Sequence, residues 1–317
     1  MEQISRLTAG IDTSKDKLDL AVHGSQLRLT VTNDKRGWRR LATECRKAGV
    51  NHIGIEPTAG YERGVTDYLR VLNYVVLVLQ PHRVRMFARA LGIRAKNDRI
   101  DAVVIAACAH ALDAPSVPAD PRFNTFADHL TFIEQIEEDI VRAITRAHHV
   151  RLPGIRQYYA RELKRLRTER QRRLGDLACD LRAEPDLGTR LALVLSIPGI
   201  GDRTAIAIIV RMPELGQISR EQAAALAGLA PFDDDSGKHR GARHIAGGRG
   251  RLRRSLYAAA LPAAFRWNPA LKALYERLTA RGKCHKSALV ACARKLLIYA
   301  NTVVARGTKW DAQPVVA

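Results

Sequence analysis

The chain has 317 residues, of which 52 are lysine or arginine and 32 are aspartate or glutamate, so its formal net charge is +20. This excess predicts a polyanionic partner, nucleic acid before an anionic membrane surface. No signal-peptide pattern opens the chain, and no apolar run approaches the roughly 20 residues of a spanning helix. Five widely spaced cysteines without a CxxC pair argue against structural zinc. We therefore expect a cytoplasmic protein that does not use a membrane.

Residues 1–112 predict an α/β domain. Three short β-type runs separated by polar turns, Leu7–Ile11, Leu18–His23 and Leu27–Thr32, indicate an antiparallel meander. Helix and strand patterns then alternate: helix Arg36–Lys47, strand His52–Ile55, helix Glu62–Leu72 and strand Tyr74–Leu79. This order is typical of a RuvC/RNase H-like fold. A doubly wound Rossmann domain is less favoured, because it would alternate from its first strand.

A proline-rich polar stretch, Leu112–Pro121, predicts a domain boundary. Beyond it, apolar residues recur every three or four positions, from Phe126 to Ile144 and again from Ile155 to Leu181. This spacing predicts two long helices over residues 122–186 with a narrow apolar seam. The seam favours a coiled-coil dimerisation element, and packing within the same domain is the alternative. Residues 189–311 predict an all-α domain with one glycine-rich basic loop.

Four acidic residues carry the pattern of a metal site. Asp12 and Glu56 each follow a β-type run, while Asp98 and Asp101 are three residues apart on one helix face. Carboxylates held close together repel one another unless cations neutralise them, and oxygen ligands favour Mg²⁺ or Mn²⁺. Two such ions suit displacement at phosphorus. Each acid alone also fits a cap or a loop, so the prediction depends on their convergence.

The turn Pro198–Gly201 lies between two apolar helical runs and is typical of a helix-hairpin-helix motif. Gly199 and Gly201 would let the backbone approach a phosphate, and Arg203 and Thr204 would bind it at the start of the next helix. The predicted role is binding of a nucleic-acid backbone without regard to sequence. An ordinary tight turn between two helices is the alternative.

A basic loop follows an Asp-Ser-Gly turn. Ser236 is a candidate nucleophile, although such turns are common and the chemistry alone favours an ordinary turn. The seven basic residues from 237 to 254, with no acid among them, predict a nucleic-acid patch: Lys238, Arg240, Arg243, Arg249, Arg251, Arg253 and Arg254. Aromatic residues make up only 5% of the chain, so we expect phosphate contacts to outweigh base stacking.

Several motifs together carry a family resemblance over nearly all of residues 5–310. They are GIDTSK at Asp12, GIEPTAGYER at Glu56, KNDRIDA at Asp98 and Asp101, SIPGIGDRTA, and ALAGLAPFDDDSGKHRGARHIAGGR. In this order they make the chain resemble the DEDD-type insertion-sequence transposases of family one-ten, eleven-eleven-like branch, which are bridge-RNA-guided serine recombinases. Asn97, Pro57 and Ala59 depart from the family pattern, but none of these changes removes a metal ligand.

The resemblance implies a Mg²⁺-dependent DNA recombinase that excises and inserts a mobile element. It implies that Asp12, Glu56, Asp98 and Asp101 hold the metal and that Ser236 attacks a DNA phosphodiester, forming a phosphoserine intermediate. The implied partners are double-stranded donor and target DNA, a structured noncoding bridge RNA and further copies of the chain. The implied assembly is a homo-oligomer, a dimer or a tetramer in the synaptic complex, in which the acids of one protomer face the serine of another.

Two other functions remain open at this point. A RuvC-like junction endonuclease would use the same acids with water as the nucleophile, so it would cleave without Ser236. A non-catalytic basic helix-hairpin-helix protein would bind nucleic acid and keep its activity without the four acids.

Overall fold

The computed structural model describes residues 7–93, 98–112, 120–232, 235–236, 239–241 and 243–311. At residues 98–100, 235–236 and 239–240 it describes the backbone alone. The chain divides into two compact units, Met1–Pro118 and Ala119–Ala317.

A five-stranded sheet in the order β3-β2-β1-β4-β5 forms the centre of the first unit. Its strands are β1 Thr8–Thr13, β2 Lys17–Val22, β3 Arg28–Thr32, β4 His52–Ile55 and β5 Val75–Val78. The first three pair antiparallel, and β4 and β5 run parallel to β1. The predicted meander and the predicted mixed α/β fold are confirmed, and the sheet is consistent with an RNase H-like domain.

Four helices accompany this sheet: α1 Lys35–Lys47, α2 Arg63–Val71, α3 Pro81–Ala90 and α4 Asp98–Ala111. Asp34 caps α1, where its Oδ1 accepts hydrogen bonds from Arg36 N at 2.9 Å and Gly37 N at 2.8 Å. The sequence analysis predicted α1, α2 and α4 but omitted α3. Pro81 at the first position of α3 is a recognised helix-start signal, so α3 could have been found.

Helix α4 packs directly on two glycines of the sheet. Gly10 of β1 and Gly54 of β4 are register partners. A Cβ atom added to Gly10 would lie 2.2 Å from Ala106 N, and one added to Gly54 would lie 2.5 Å from Ala109 Cβ. Only glycine at both positions allows the helix backbone to come this close to the strands.

The direction of α4 follows from two contacts along β1. Thr8 Oγ1, at the start of β1, lies 3.3 Å from His110 Nδ1 near the end of α4. Further along the strand, Gly10 faces the segment from Ala102 to Ala106. Helix α4 therefore runs antiparallel to β1, and its first turn points towards the end of the strand at which Asp12 lies.

The second unit is mainly helical. Its helices are α5 Arg122–His149, α6 Pro153–Ala183, α7 Pro185–Leu195, α8 Asp202–Arg211, α9 Arg220–Ala227, α10 Gly250–Pro262, α11 Pro269–Ala280 and α12 His285–Arg306. A π-helical turn, Ala263–Trp267, joins α10 to α11. Four two-residue strands lie between α9 and α10: β6 Pro231–Phe232, β7 Asp235–Ser236, β8 His239–Arg240 and β9 His244–Ile245.

Helices α5 and α6 form the predicted long hairpin. At its base, Leu130 and Ile133 are fully buried in one core with Leu177, Leu181 and the C-terminal helices. At its far end, Ile144 and Ile155 are each 44% exposed. At the base of the hairpin, the apolar seam therefore packs within its own chain, as the alternative to dimerisation predicted. A dimerisation role stays a prediction for the exposed end.

Helix α12 corrects one expectation from the sequence. Among the residues that the structure describes, α12 is long and apolar enough to cross a membrane, with 22 residues and a mean hydropathy of 1.5 in its most apolar window. The sequence analysis had found no such run. Half of that window is buried inside the unit, and Leu289, Leu296 and Leu297 belong to its core. The hydropathy of α12 is therefore that of a central core helix.

We predict that Gly10→Ala destabilises the protein by about 1–3 kcal/mol, because the added methyl group overlaps the backbone of α4. Chemical denaturation of the purified chain measures the loss. The matched control is Gly175→Ala in α6, where an added Cβ meets no atom within 4 Å. The control should keep or slightly raise stability, since alanine favours the helix. Equal stability of the two variants would contradict the proposed packing of α4.

Candidate active site

Two acids meet at one edge of the five-stranded sheet. Asp12 is near the end of β1, and Glu56 directly follows β4. The residues before them, Ile11 and Ile55, are register partners in the parallel pair. The two carboxylates therefore come from the carboxyl ends of adjacent strands, and both residues are half-buried. The backbone N–H of Thr13 donates to Asp12 Oδ1 at 3.0 Å.

The first turn of α4 lies level with Asp12. From Gly10 to Asp12 the strand advances by about 6–7 Å, which corresponds to roughly four residues of helix. Because α4 runs antiparallel to β1, this step leads from Ala102 back to Asp98, where α4 begins. Asp101 lies in the same turn and is half-buried. The backbone thus directs the first turn of α4 to the edge of the sheet at which Asp12 and Glu56 lie, and a shared metal site there stays a prediction.

The donor set at this edge fits a hard divalent cation. Carboxylate oxygens are the ligands that Mg²⁺ and Mn²⁺ prefer, and several carboxylates at one place need a cation for neutralisation. Within the described part of the chain, which includes the side chains of Asp12, Glu56 and Asp101, no three His, Cys, Asp or Glu side chains form a group that could hold a metal ion. The side chain of Asp98, the fourth predicted ligand, lies outside the described atoms.

A further acid lies opposite Asp12 on the neighbouring strand, and the sequence patterns did not predict it. Asp19 of β2 is the register partner of Asp12, and Thr30 of β3 is the next residue in the row. Asp19 is only 6% exposed, accepts a hydrogen bond from the Thr30 hydroxyl and lies 3.3 Å from Lys17 Nζ. Residues directly opposite each other point to the same face. An acid inside an otherwise apolar strand was the available signal.

Two further side chains fix the loops that carry the strand-end acids. Asn33 Nδ2 donates to Ser14 O at 2.9 Å and to Tyr61 O at 3.1 Å, so it joins the loop after β1 to the loop after β4. Buried Glu62 accepts a hydrogen bond from Thr58 N at 2.9 Å. These contacts restrain the backbone on both sides of the site and give Asn33 and Glu62 positioning roles.

The predicted hairpin turn joins α7 to α8 and packs on the π-helical turn. Gly199 has a φ of +96°, and its added Cβ would lie 2.4 Å from Ala263 Cβ. Asn268 Nδ2 donates to Pro198 O at 3.1 Å. Gly201, in contrast, has open space around an added Cβ. Packing therefore requires Gly199, while Gly201 alone has room for a ligand. Thr204 is only 9% exposed, but it lines the same cavity as Arg203.

Two of the arginines predicted to bind nucleic acid, Arg203 and Arg251, belong to an arginine–glutamate network. Its other members are Glu134, Glu137 and Arg211, and the nucleic-acid role of the two arginines stays a prediction. Arg203 Nη2 lies 2.8 Å from Glu137 Oε2, and its Nε lies 2.9 Å from Oε1. Buried Glu134 accepts from Arg211 at 2.7 Å and from Arg251 at 2.6 Å. The network borders a cavity of about 720 Å³. Its acids come from α5, far away in the sequence.

Other arginines of the basic loop also form hydrogen bonds within the protein. Arg249 forms two hydrogen bonds to Glu214, at 2.9 and 2.7 Å, and Arg253 Nη1 donates to Gly247 O at 2.6 Å. Arg254 is different, because its side chain is 70% exposed. Arg243 is exposed as well. Lys238 lies outside the described residues, as does the side chain of Arg240.

The candidate nucleophile lies in a short β-ribbon. Strands β7 and β8 pair antiparallel, with Ser236 opposite His239, and β6 pairs with β9. The sequence analysis had placed Ser236 in a flexible turn, whereas the backbone assigns it to the end of a strand. Only two residues separate Ser236 from β8, so the serine lies close to the tip of this ribbon.

The network also sets the ionisation of Glu137. Burial raises the pKa of Glu137, but the hydrogen bond and charge of Arg203, with help from Arg170, outweigh it and leave the pKa below its ordinary value. Glu214 follows the same pattern with Arg249. A carboxyl group whose pKa is lowered by folding stabilises the folded state above its unfolded pKa. This contribution is lost as the pH falls through the folded pKa.

We predict that Glu137→Gln lowers the free energy of unfolding at pH 7 by about 1–3 kcal/mol, because Arg203 loses its hydrogen-bonded carboxylate and retains the more distant Glu134, at 3.7 Å. The difference from wild type should shrink as the pH falls through the lowered pKa of Glu137, because the wild-type carboxyl group itself then becomes protonated. Denaturation at a series of pH values measures both effects. The control Glu162→Gln removes an exposed pair with Arg165 and should leave stability nearly unchanged. A difference that does not depend on pH would contradict the electrostatic role of Glu137.

Comparison with known proteins shows two family matches. Residues 9–176 match the DEDD_Tnp_IS110 family, described as "Transposase", and residues 191–276 match "Transposase IS116/IS110/IS902 family". The chain is similar to the "Pilin gene-inverting protein" of Moraxella bovis and of Moraxella lacunata, 24% identical over 323 residues, which covers 97% of this chain and 98% of each relative. It is also similar to the "Insertion element IS110 uncharacterized 43.6 kDa protein" of Streptomyces coelicolor, 31% identical over 123 residues, or 38% of this chain and 30% of that protein.

Proposed function

This chain belongs to the IS110 family of DEDD transposases, and on that premise we propose a metal-dependent recombinase with a serine nucleophile. Membership makes the chain a transposase, an enzyme that cuts and recombines DNA. The proposal adds the roles of particular residues, the divalent ion and the guide RNA. The observation that carries it is the convergence of acid positions at one edge of the sheet, where Asp12 and Glu56 meet the first turn of α4.

In this proposal Asp12, Glu56, Asp98 and Asp101 hold Mg²⁺ or Mn²⁺. A bound divalent ion of this kind stabilises negative charge on the oxygens of a phosphodiester during displacement at phosphorus. The protein supplies a fixed position for the carboxylates. Asn33 holds the two strand-end loops together, and the two glycines under α4 hold the helix against the sheet.

Ser236 is the proposed nucleophile. Its Oγ forms a bond to a DNA phosphorus while the bond from that phosphorus to the leaving deoxyribose oxygen breaks. The serine proton is lost to a base, and the leaving oxygen gains a proton. Attack by a DNA hydroxyl then releases Ser236 and rejoins the strands, so no external energy source is needed. Support comes from the resemblance at the APFDDDSGKHR segment, which lies inside the matched residues 191–276.

The proposed substrates are double-stranded donor and target DNA, and a structured bridge RNA would select them by base pairing. The named activity of the Moraxella relatives, pilin gene inversion, favours cutting followed by rejoining. The internal pairing of Arg249 and Arg251 leaves fewer cations for reading bases, which suits specificity delegated to RNA. The proposal also includes assembly of several copies of the chain on DNA.

A RuvC-like nuclease that uses water is the second candidate. The observation that favours it is the same acid edge, because four carboxylates can support hydrolysis without a serine. The two candidates differ in the covalent adduct and in the requirement for Ser236.

We predict that wild-type protein, mixed with Mg²⁺, element-end DNA and RNA transcribed from DNA next to the gene, forms a protein–DNA adduct that survives denaturation. Ser236→Ala should remove the adduct and the recombinant product, and Asp12→Asn should reduce both by at least about a hundredfold. Gel electrophoresis with labelled DNA measures both species.

The control Ser25→Ala changes an exposed serine in the turn between β2 and β3 and should retain the adduct. Cleavage by Ser236→Ala at the wild-type rate would reject the serine mechanism in favour of water. Full activity of Asp12→Asn would reject the role of the acids. Activity that is independent of the RNA would reject guidance.

A further inference from the structure

A group of aromatic side chains lies at and beside the π-helical turn of the second unit. Phe265 and Trp267, in the π-helical turn Ala263–Trp267, are 51% and 55% exposed. Tyr275 of α11 and His285 at the start of α12 extend this group. We name these four residues the aromatic patch. The low aromatic content of the chain as a whole had predicted little base stacking, but its aromatics are not evenly distributed.

Three rings of the aromatic patch contact one another. The centroids of Phe265 and Tyr275 are 4.9 Å apart, and those of Tyr275 and His285 are 5.7 Å apart at an interplanar angle of 82°. The Tyr275 hydroxyl lies 2.7 Å from His285 Nδ1. These contacts hold the rings in place, so a planar ligand could stack on Phe265 with little further loss of side-chain entropy.

The backbone that presents the patch is well supported. Ala263 and Ala264 are fully buried, while the following three residues face solvent. Asn268 N donates to Ala263 O at 2.9 Å, and the hairpin glycine Gly199 packs on the same alanine. A π-helical turn inserts an extra residue into a helix and is often found at functional sites. Here it turns Phe265 and Trp267 outward from a rigid base.

Positive charge surrounds the aromatic patch. The Arg266 guanidinium lies 4.9 Å from the centroid of the Trp267 ring. The exposed segment from 281 to 286 contains Arg281, Lys283 and Lys286 and no acid. One exposed carboxylate, Glu276, lies on α11. Exposed π-faces bordered by cations suit a ligand that combines a flat base with a phosphate.

We propose that the aromatic patch binds unpaired nucleotides of DNA or RNA, which stack on Phe265 and Trp267 while the neighbouring cations contact phosphates. Stacking of this kind accepts any base and needs bases that are free of a duplex. The inference rests on the proposed action on nucleic acid, but it does not depend on the metal or on Ser236. A displaced DNA strand or an RNA loop would supply these unpaired nucleotides, and the proposed chemistry assigns neither of them a binding surface.

Charge argues against a second copy of the chain as the occupant. The exposed cations beside the patch, Arg281, Lys283 and Lys286, would repel the same cations of a second copy on contact. A polyanion gains from the same charges, and its affinity falls as salt is added.

The test measures binding of fluorescein-labelled 20-nucleotide single strands, dT and rU, and of a duplex of equal length, by fluorescence anisotropy with full-length protein and EDTA. We expect the double variant Phe265→Ala/Trp267→Ala to bind both single strands roughly 5- to 150-fold more weakly, with duplex binding changed less than twofold. Phe265→Trp, which retains a stacking face, should keep the affinity of the wild type. A larger loss for one of the two single strands would identify DNA or RNA as the preferred source.

The matched control is Phe132→Ala, because Phe132 is a 43% exposed aromatic on α5 that also lies beside an arginine, Arg173. It should leave single-strand binding unchanged. Unchanged single-strand binding by the double variant would overturn the inference, as would an equal loss of duplex binding or an equal loss in Phe132→Ala. Absence of binding to every nucleic acid by the wild type would instead reject the proposed function itself, together with this inference.

Discussion

The close packing of α4 on Gly10 and Gly54 is the constraint on which the rest of the first unit depends. Two adjacent strands lack side chains at the same level, and the helix backbone occupies that space. Asp12 lies near the end of β1 and Glu56 directly follows β4, and the antiparallel course of α4 directs its first turn to the same edge of the sheet. A larger residue at either glycine would lift α4 and separate its first turn from the carboxylates. The two glycines that allow α4 to pack on the sheet are therefore also needed for the proposed metal site.

In the second unit, ion pairs within the protein decide which arginine side chains remain exposed for contact with DNA. Glu134 and Glu137 of α5 neutralise arginines from α8 and α10, and this fastens the long hairpin to the C-terminal helices. This pairing leaves the formal net charge of +20 unchanged, because each pair removes one acid and one base, but it makes these arginines less available to DNA. The cations that remain exposed include Arg254 and those beside the aromatic patch. Nucleic-acid contact is expected to concentrate there.

Local features of the sequence predicted local features of the structure. The strands β1 to β5, the helix α4 and the long hairpin followed from periodicity, and so did the places of Asp12 and Glu56 at the ends of strands. Contacts between distant segments could not be read in this way. Arg203 was predicted to be free for nucleic acid because its partner Glu137 lies 66 residues away in the sequence. Asp19 could be placed beside the predicted site only once its register with Asp12 was known. The hydropathy of α12 was missed because a few polar residues interrupt it.

The central claim is that the acids at the edge of the first unit's sheet form one divalent-cation site. Electron paramagnetic resonance of Mn²⁺ titrated into the full-length protein tests it without any requirement for DNA or activity. The account predicts that wild type and the exposed-acid control Asp16→Asn bind Mn²⁺ alike, whereas the double variant Asp12→Asn/Glu56→Gln loses the bound signal. Equal Mn²⁺ binding by the double variant and the wild type would contradict the account.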